Sequence, residues 1–304
     1  MTLLRPRSVP RGGTIAIAAP AGPVDPEALA AGEQLLRLQG FEVIAGDDVA
    51  ARSGYLAGDD RRRADELMGW LLDPSVHAIV CARGGYGCHR IVSLLDAEAM
   101  RKVAKPIVGY SDIVTLLLWQ ERFAGVAAIH GPMLERGADL APGAIEALTR
   151  ALTGDDAGER LVGRGRGGGC AEGRFCGGSL SVSVASLGTP WEIDTQGRIL
   201  MLEDLNEPPF RIDRMLQQLR AAGKLDGAAV GIAVGGLVDC ENARCPTPTA
   251  REVVDEILAP LGLPWVTDLP FGHLADNRPW PHGGRGAIDG DRGEITFLDS
   301  SLER

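Results

Sequence analysis

Apolar and polar residues alternate along the first half of the chain in blocks that predict strands and helices in turn. Short continuous apolar runs predict buried strands over residues 14–20, 41–45, 76–82, 106–110 and 126–130. Apolar residues at helical spacing predict helices over residues 26–39, 59–72, 90–100, 112–122 and 143–152. Continuously apolar strands that alternate with helices are typical of a parallel sheet covered by helices on both faces.

The second half continues this alternation with fewer elements. The pattern predicts strands over residues 198–204, 228–234, 265–269 and 293–299, and helices over residues 210–222 and 249–261. In the first of these helices an apolar stripe at i, i+3, i+4 and i+7 predicts a core-facing side, formed by Ile212, Met215, Leu216 and Leu219. The sequence thus predicts an α/β protein, with an N-terminal parallel-sheet domain flanked by helices and a smaller, mixed α/β C-terminal domain.

A glycine-rich and charged stretch, TGDDAGERLVGRGRGGG at residues 153–169, separates the two halves. Few apolar residues and many glycines are typical of an exposed connection. We therefore predict an N-terminal domain over residues 1–155, a linker over 156–175 and a C-terminal domain over 176–304.

Composition narrows the classes of function. The net charge of −10 over 304 residues argues against a surface that binds nucleic acid, which needs clustered Lys and Arg. We see no secretory signal and no apolar run near the roughly 20 residues that cross a membrane. Because no export signal is visible, we expect the six scattered cysteines to be reduced thiols in the cytoplasm. They form no C-x-x-C pair, which argues against structural zinc. We predict no metal site and no cofactor.

The segment KPIVGYSDIVTLLLW places Ser111 between a predicted strand and a predicted helix. A serine before a helix is a preferred N-cap, because its oxygen accepts from an exposed backbone N–H. A serine at a sharp strand-to-helix turn can instead be a nucleophile, with the N–H of Asp112 donating to an oxyanion. The segment is not a G-x-S-x-G motif, so both interpretations stay open at this point.

A second segment, ARGGYG at residues 82–87, follows a predicted strand. It lacks the Lys-Ser/Thr ending of a phosphate loop, so it is either a plain glycine turn or a place where backbone approaches a substrate. In the second case Gly84 and Gly85 would supply a further oxyanion donor. Arg83 would bind a substrate carboxylate or pair with a surface acid.

Glu203 and Asp204 end a predicted strand, and His273 lies in a later turn, PFGH. Either acid could orient a histidine, or cap the helix that begins near Pro208. Of the other histidines, His77 lies inside a predicted strand and is expected to be structural. A serine, an acid and a histidine at element boundaries are the parts of a serine hydrolase.

Taken together, the motifs resemble the LD-carboxypeptidases, a family that includes murein tetrapeptide carboxypeptidases and microcin C self-immunity hydrolases. The similarity covers nearly the whole chain and rests on these segments: ARGGYG, GYSDI, HGPM at 130–133, GGSLS at 177–181, LEDLNEPPFRIDRML and PFGH. It implies a two-domain fold with the active site between the domains, and a cytoplasmic homodimer.

The resemblance also implies a Ser-His-Glu triad. Ser111 would be the nucleophile, His273 the general base and Glu203 the residue that orients it. Backbone N–H groups of Asp112, Gly84 and Gly85 would hold the oxyanion, and Arg83 would contact the substrate. The expected reaction is hydrolysis of an L,D-peptide bond that releases terminal D-alanine from murein tetrapeptide during peptidoglycan recycling.

One departure from the family pattern and two alternative hypotheses keep the function open. The family often has Asn where this chain has Ser179, so the contacts of that amide are missing here. An aminoacyl-nucleotide or acyl-sulfamate substrate is the second hypothesis, and Trp191 is a candidate for stacking on its base. A non-catalytic binding protein on the same fold is the third. None of these hypotheses involves a membrane or nucleic acid.

Overall fold

The computed structural model describes residues 3–304, which fall into two compact units. The N-terminal unit contains the described residues up to Ala157 and two later segments, Ala275–Gly283 and Ser300–Arg304. The C-terminal unit contains Gly158–Leu274 and Gly284–Asp299. Each unit is therefore assembled from segments that are distant in the sequence.

The strands of the described residues are, in chain order, β1 (Thr14–Ala18), β2 (Glu42–Ala45), β3 (Val76–Cys81), β4 (Ile107–Gly109), β5 (Ala128–His130), β6 (Arg160–Val162), β7 (Arg164–Gly165), β8 (Cys170–Ser179), β9 (Arg198–Leu205), β10 (Gly231–Val238), β11 (Trp265–Thr267), β12 (Trp280–His282), β13 (Arg285–Asp289) and β14 (Glu294–Phe297).

The α-helices are α1 (Pro26–Leu38), α2 (Asp60–Leu72), α3 (Cys88–Ile91), α4 (Ala97–Val103), α5 (Val114–Trp119), α6 (Pro142–Thr153), α7 (Leu180–Ala185), α8 (Pro209–Ala221) and α9 (Ala250–Leu258). Short 3₁₀ segments cover Val92–Leu94, Ser111–Ile113, Gly137–Asp139 and Ala259–Leu261, and a π-helical turn covers Gln120–Ala124.

The N-terminal unit is built on a six-stranded sheet in the order β12-β5-β4-β3-β1-β2. Neighbouring strands are parallel, except that β12 runs antiparallel to β5. The central strands are buried along their length, with Ile15, Ile17 and Ile79 at 0% exposure. Burial on both faces explains why these strands are continuously apolar, and the predicted parallel sheet is confirmed.

The C-terminal unit is built on an eight-stranded sheet in the order β6-β14-β13-β8-β9-β10-β11-β7. Its centre, β8 to β11, is parallel, and the strands on either side pair antiparallel. The predicted α/β class with a mixed α/β C-terminal domain is therefore confirmed. In a parallel arrangement the carboxyl ends of the strands meet at one edge, where side chains from different strands come together.

The structure differs from the linker predicted over residues 156–175, because β6, β7 and the first part of β8 lie within that range. Some of its glycines allow close backbone packing. A Cβ at Gly168 would lie 2.1 Å from the carbonyl oxygen of Leu263, and one at Gly165 would lie 2.6 Å from that of Gly290. The predicted C-terminal domain also differs, because residues 275–283 and 300–304 belong to the N-terminal unit.

The helix predicted over residues 90–100 is also interrupted. It is divided into α3, a 3₁₀ turn and α4, because Asp96 accepts a hydrogen bond from the N–H of Ala99 and so caps a new helix. Across residues 3–304, no helix has the length and apolar character needed to span a bilayer.

Candidate active site

Ser111 begins a sharp turn directly after the short strand β4. Its φ of 58° lies in the left-handed region, which is uncommon for a residue with a side chain. Tyr110, not Ser111, occupies the N-cap position, and no side chain caps this helical segment. The hydroxyl of Ser111 is therefore not used as a cap, and the serine is held at the carboxyl end of a central parallel strand in a strained turn.

The ARGGYG loop packs directly against this turn. A Cβ at Gly84 would lie 2.8 Å from Cβ of Ser111 and 3.4 Å from the amide nitrogen of Asp112, so only glycine fits. The buried carboxylate of Asp112 accepts a 2.8 Å hydrogen bond from the N–H of Cys88, just after the loop. Burial raises the pKa of Asp112. These contacts hold loop and turn together.

The glycine loop presents backbone N–H groups near Ser111. Its conformation is set by a 2.8 Å hydrogen bond from the N–H of Gly22 to the carbonyl oxygen of Gly84. Among residues 3–304, no group of the protein accepts a hydrogen bond from the amides of Gly84 and Gly85. Donors of this kind next to a nucleophile are what an oxyanion requires. Arg83 lies in the same loop and donates to the carbonyl oxygen of Pro23 at 2.7 Å.

In the C-terminal unit, Glu203 and His273 form a close hydrogen-bonded pair. Nδ1 of His273 lies 2.6 Å from Oε2 of Glu203, and the backbone N–H of His273 donates to the same oxygen at 3.2 Å. The Glu203 side chain is fully buried, and that of His273 is 10% exposed. A carboxylate held on Nδ1 fixes the ring orientation and the tautomer, which leaves Nε2 able to accept a proton.

The glycine of the PFGH turn makes this pair possible. Gly272 has a φ of 96°, and a Cβ there would lie 2.4 Å from Oε2 of Glu203. Any other residue would displace the carboxylate that holds His273. The turn is also anchored by a 3.0 Å hydrogen bond from the N–H of Gly236 to the carbonyl oxygen of Phe271.

Asp204, next to Glu203 on β9, faces a different set of partners. Its carboxylate accepts from the N–H of Ser181 at 2.7 Å and from its hydroxyl at 3.3 Å. Ser179 in turn caps α7 through its hydroxyl, which accepts from the N–H of Val182. The structure therefore pairs His273 with Glu203, and Asp204 with the GGSLS segment. This role of Asp204 was not predicted from the sequence.

Neutralising Asp204 is expected to change how stability depends on pH. Burial, followed by the charge of Glu203, raises the pKa of Asp204 to about 6 from an ordinary 3.8, despite the hydrogen bonds from Ser181 and Leu205. A carboxyl whose pKa is raised on folding contributes stability that is complete below about pH 4 and is lost as the pH rises through about 6. Asp204→Asn removes this titration.

The measurement is the melting temperature of both proteins between pH 4.5 and 7.5. We expect the free energy of unfolding of the variant to rise relative to that of the wild type by about 2 kcal/mol over this pH range. The melting temperature of the variant therefore rises relative to that of the wild type as the pH increases. A temperature difference that is constant across this range would contradict the assignment.

The other histidines have structural partners. Nδ1 of His77 lies 3.0 Å from the N–H of Thr14, and His89 lies 3.2 Å from the hydroxyl of Thr115. His130 stacks on Trp280, and His282 lies 3.2 Å from Glu121. The described residues contain no group of three or more His, Cys, Asp or Glu side chains that could hold a metal ion.

The chain matches the sequence profiles of two LD-carboxypeptidase domains, the N-terminal domain over residues 15–131 and the C-terminal domain over residues 172–288. It is 32% identical over 297 residues to the murein tetrapeptide carboxypeptidase of Pseudomonas aeruginosa, covering 93% of this chain and 95% of that protein.

The fold is shared with solved structures, including the following two. The muramoyltetrapeptide carboxypeptidase from Oxalobacter formigenes matches with a TM-score of 0.84 and 29% identity, over 93% of this chain and 97% of that one. The microcin C7 self-immunity protein in complex with aspartyl sulfamoyl adenosine matches with a TM-score of 0.90 and 22% identity, over 99% and 100% of the two chains. The two matched domains and these similarities show that the chain belongs to the LD-carboxypeptidase family of serine peptidases, which are hydrolases.

Proposed function

We propose that this protein is a serine carboxypeptidase that hydrolyses an L,D-peptide bond and releases terminal D-alanine from murein tetrapeptide. The observation that carries the proposal is the buried Glu203 carboxylate held 2.6 Å from Nδ1 of His273, an arrangement suited to a general base. Two murein-specific carboxypeptidases among the similar proteins support the substrate class.

In the proposed reaction, Nε2 of His273 accepts the proton of Ser111 Oγ while that oxygen attacks the scissile carbonyl carbon. Glu203 accepts a hydrogen bond from Nδ1 and stabilises the imidazolium that forms. The negative charge on the carbonyl oxygen is held by the N–H groups of Asp112, Gly84 and Gly85, each worth about 3 kcal/mol in comparable sites.

Collapse of this intermediate breaks the C–N bond, and the proton on His273 passes to the leaving amine of D-alanine. The acyl group stays on Ser111 as an ester. A water molecule then loses a proton to His273 and attacks the ester, which releases the shortened peptide and returns the proton to Ser111. The reaction consumes only the peptide and one water molecule. The catalytic groups are all side chains or backbone amides of this chain.

The proposal also places the protein in the cytoplasm as a homodimer acting in peptidoglycan recycling, where it would meet released muropeptides. The alternative substrate class is an aminoacyl-nucleotide or acyl-sulfamate, of which aspartyl sulfamoyl adenosine bound to the microcin C7 self-immunity protein is an example. Trp191 is half-buried and follows α7 in the chain, and stacking on a base is its proposed role in that alternative.

The test is mass-spectrometric analysis of products from three compounds: L-Ala-γ-D-Glu-L-Lys-D-Ala, the same peptide ending in L-alanine, and aspartyl sulfamoyl adenosine. Release of D-alanine from the first, with little cleavage of the second, is the expected result. Cleavage of the nucleotide analogue alone would replace the murein assignment by the alternative. Cleavage of none would favour a binding protein on this fold.

A further inference from the structure

A pocket of about 760 Å³ opens on the N-terminal unit beside the glycine loop. Its walls come from three loops that follow β1, β2 and β3, and its lining includes Gly22, Arg52, Tyr55, Arg83, Gly85 and Tyr86. Because these strands are parallel neighbours, all three loops lie at the carboxyl edge of the sheet, the same edge at which β4 delivers Ser111. We call this feature the two-arginine pocket.

The two-arginine pocket shares a wall with the serine turn. Arg83 and Gly85 line the pocket. Gly84, between them, packs against Ser111, because a Cβ at Gly84 would lie 3.0 Å from Oγ of Ser111. A second connection is the hydrogen bond from the N–H of Gly22, another lining residue, to the carbonyl oxygen of Gly84. A ligand in this pocket would therefore lie next to the attacking oxygen.

The charges in the two-arginine pocket all have one sign. Arg52 and Arg83 line it, and no Asp or Glu does. Within residues 3–304 neither arginine forms an ion pair, although the chain carries a net charge of −10 and many of its other arginines pair with acids. A guanidinium presents several N–H donors in a plane that matches two carboxylate oxygens. The pocket is therefore complementary to a carboxylate.

Two tyrosines give the two-arginine pocket an apolar surface. Tyr55 and Tyr86 are 66% and 45% exposed, and their rings meet edge to face with centroids 5.8 Å apart. Exposed aromatic rings beside positive charges suit a ligand that carries both an apolar framework and an anionic group. The volume is also much larger than a single alanine needs.

We propose that the two-arginine pocket binds a carboxylate of the peptide substrate and so contributes to specificity, an inference that rests on the proposed carboxypeptidase function. The lysine-containing tetrapeptide L-Ala-γ-D-Glu-L-Lys-D-Ala offers two such groups near the scissile bond: the terminal carboxylate of the leaving alanine, and the α-carboxylate of the γ-linked glutamate in the acyl part. Arg52 and Arg83 supply the charge, and the tyrosines contact the peptide around it.

The experiment combines one variant with three substrates: the tetrapeptide, its terminal amide, and the analogue with the glutamate α-carboxylate converted to an amide. Arg52→Gln is expected to raise KM for the tetrapeptide about 10- to 100-fold with little change in kcat. One of the two amides lacks the carboxylate that the pocket binds. For that amide we expect the wild-type KM to be raised and the Arg52→Gln substitution to raise KM little further. The insensitive amide thus identifies which carboxylate is bound.

Arg11→Gln is the matched control, because Arg11 is exposed on the turn before β1, at the opposite end of that strand. An Arg52→Gln variant with wild-type KM for all three substrates, or with an equal loss for all three, overturns the proposal.

If the wild type releases no D-alanine, the proposed function fails, and the pocket is then tested by calorimetric binding of the same peptides. Tighter binding of the tetrapeptide to the wild type than to Arg52→Gln would support the carboxylate site without catalysis. Equal binding, or none, would reject it.

Discussion

Replacing Ser111 by alanine is expected to abolish release of D-alanine, with a loss of at least about 10⁴-fold in kcat/KM. The physical reason is that the Ser111 hydroxyl lies against the glycine loop, where a Cβ at Gly84 would be 3.0 Å from Oγ. Alanine keeps the Cβ that packs on Gly84, so the variant should fold like the wild type. The measurement is D-alanine release by mass spectrometry, with Ser93→Ala, at an exposed serine of the same unit, as the control.

A glycine at position 111 separates chemistry from folding. Ser111→Gly removes the same hydroxyl but relaxes a backbone held at a φ of 58°. It should be as inactive as the alanine variant and more stable by about 1 kcal/mol. A fluorophosphonate probe gives an independent readout, since it should add mass to the wild type and to neither variant. Labelling of Ser111→Ala would show that another residue is the nucleophile.

Replacing Glu203 by glutamine is the second large effect, with kcat lowered by about 10³- to 10⁴-fold and KM nearly unchanged. Glutamine preserves the shape of the side chain, but its amide can donate to Nδ1 and so favour the wrong tautomer of His273, as in other triads where an amide replaces the acid. The buried position leaves no water to take over the role of the carboxylate. The measurement is steady-state kinetics with the tetrapeptide.

Asp204→Asn is the matched control for this experiment. It neutralises the adjacent carboxylate on the same strand, but Asp204 is hydrogen-bonded to Ser181 and not to His273. Its kcat should stay within a few-fold of the wild type. If Asp204→Asn lowers kcat by about 10³-fold or more and Glu203→Gln does not, Asp204 and not Glu203 is the acid that orients His273.

Helix starts were predictable from the sequence because their causes are local. Asp25 caps α1 by accepting from the N–H groups of Glu27 and Ala28, and Pro26 occupies its first turn. Thr249 and Glu252 form a capping box at the start of α9. Both signals need only three or four neighbouring residues. The predicted helices over 26–39 and 249–261 accordingly agree with the structure to within about one turn.

The strand β12 shows where local signals failed. Trp280–His282 is only three residues long and contains a proline, so its sequence gives no strand pattern. It pairs antiparallel at the edge of the N-terminal sheet, with β5, across about 150 residues of chain. Pairing over such a distance depends on the packing of the whole unit. The same holds for the glycine-rich stretch that became β6 and β7.

By itself, the sequence determined the alternation of strands and helices, the place of Ser111 at a strand-to-helix turn, and the candidates for the acid and the histidine. These follow from hydrophobic period and short-range capping, which act over a few residues. The motifs alone left Glu203 and Asp204 open as the partner of His273, and the family resemblance implied Glu203. Only the tertiary structure shows the contact between Glu203 and His273, the room that Gly272 leaves for it, and the pocket that Arg52 and Arg83 line. Each of those depends on which loops the parallel strands bring to one edge, and adjacent residues on a strand point to opposite faces.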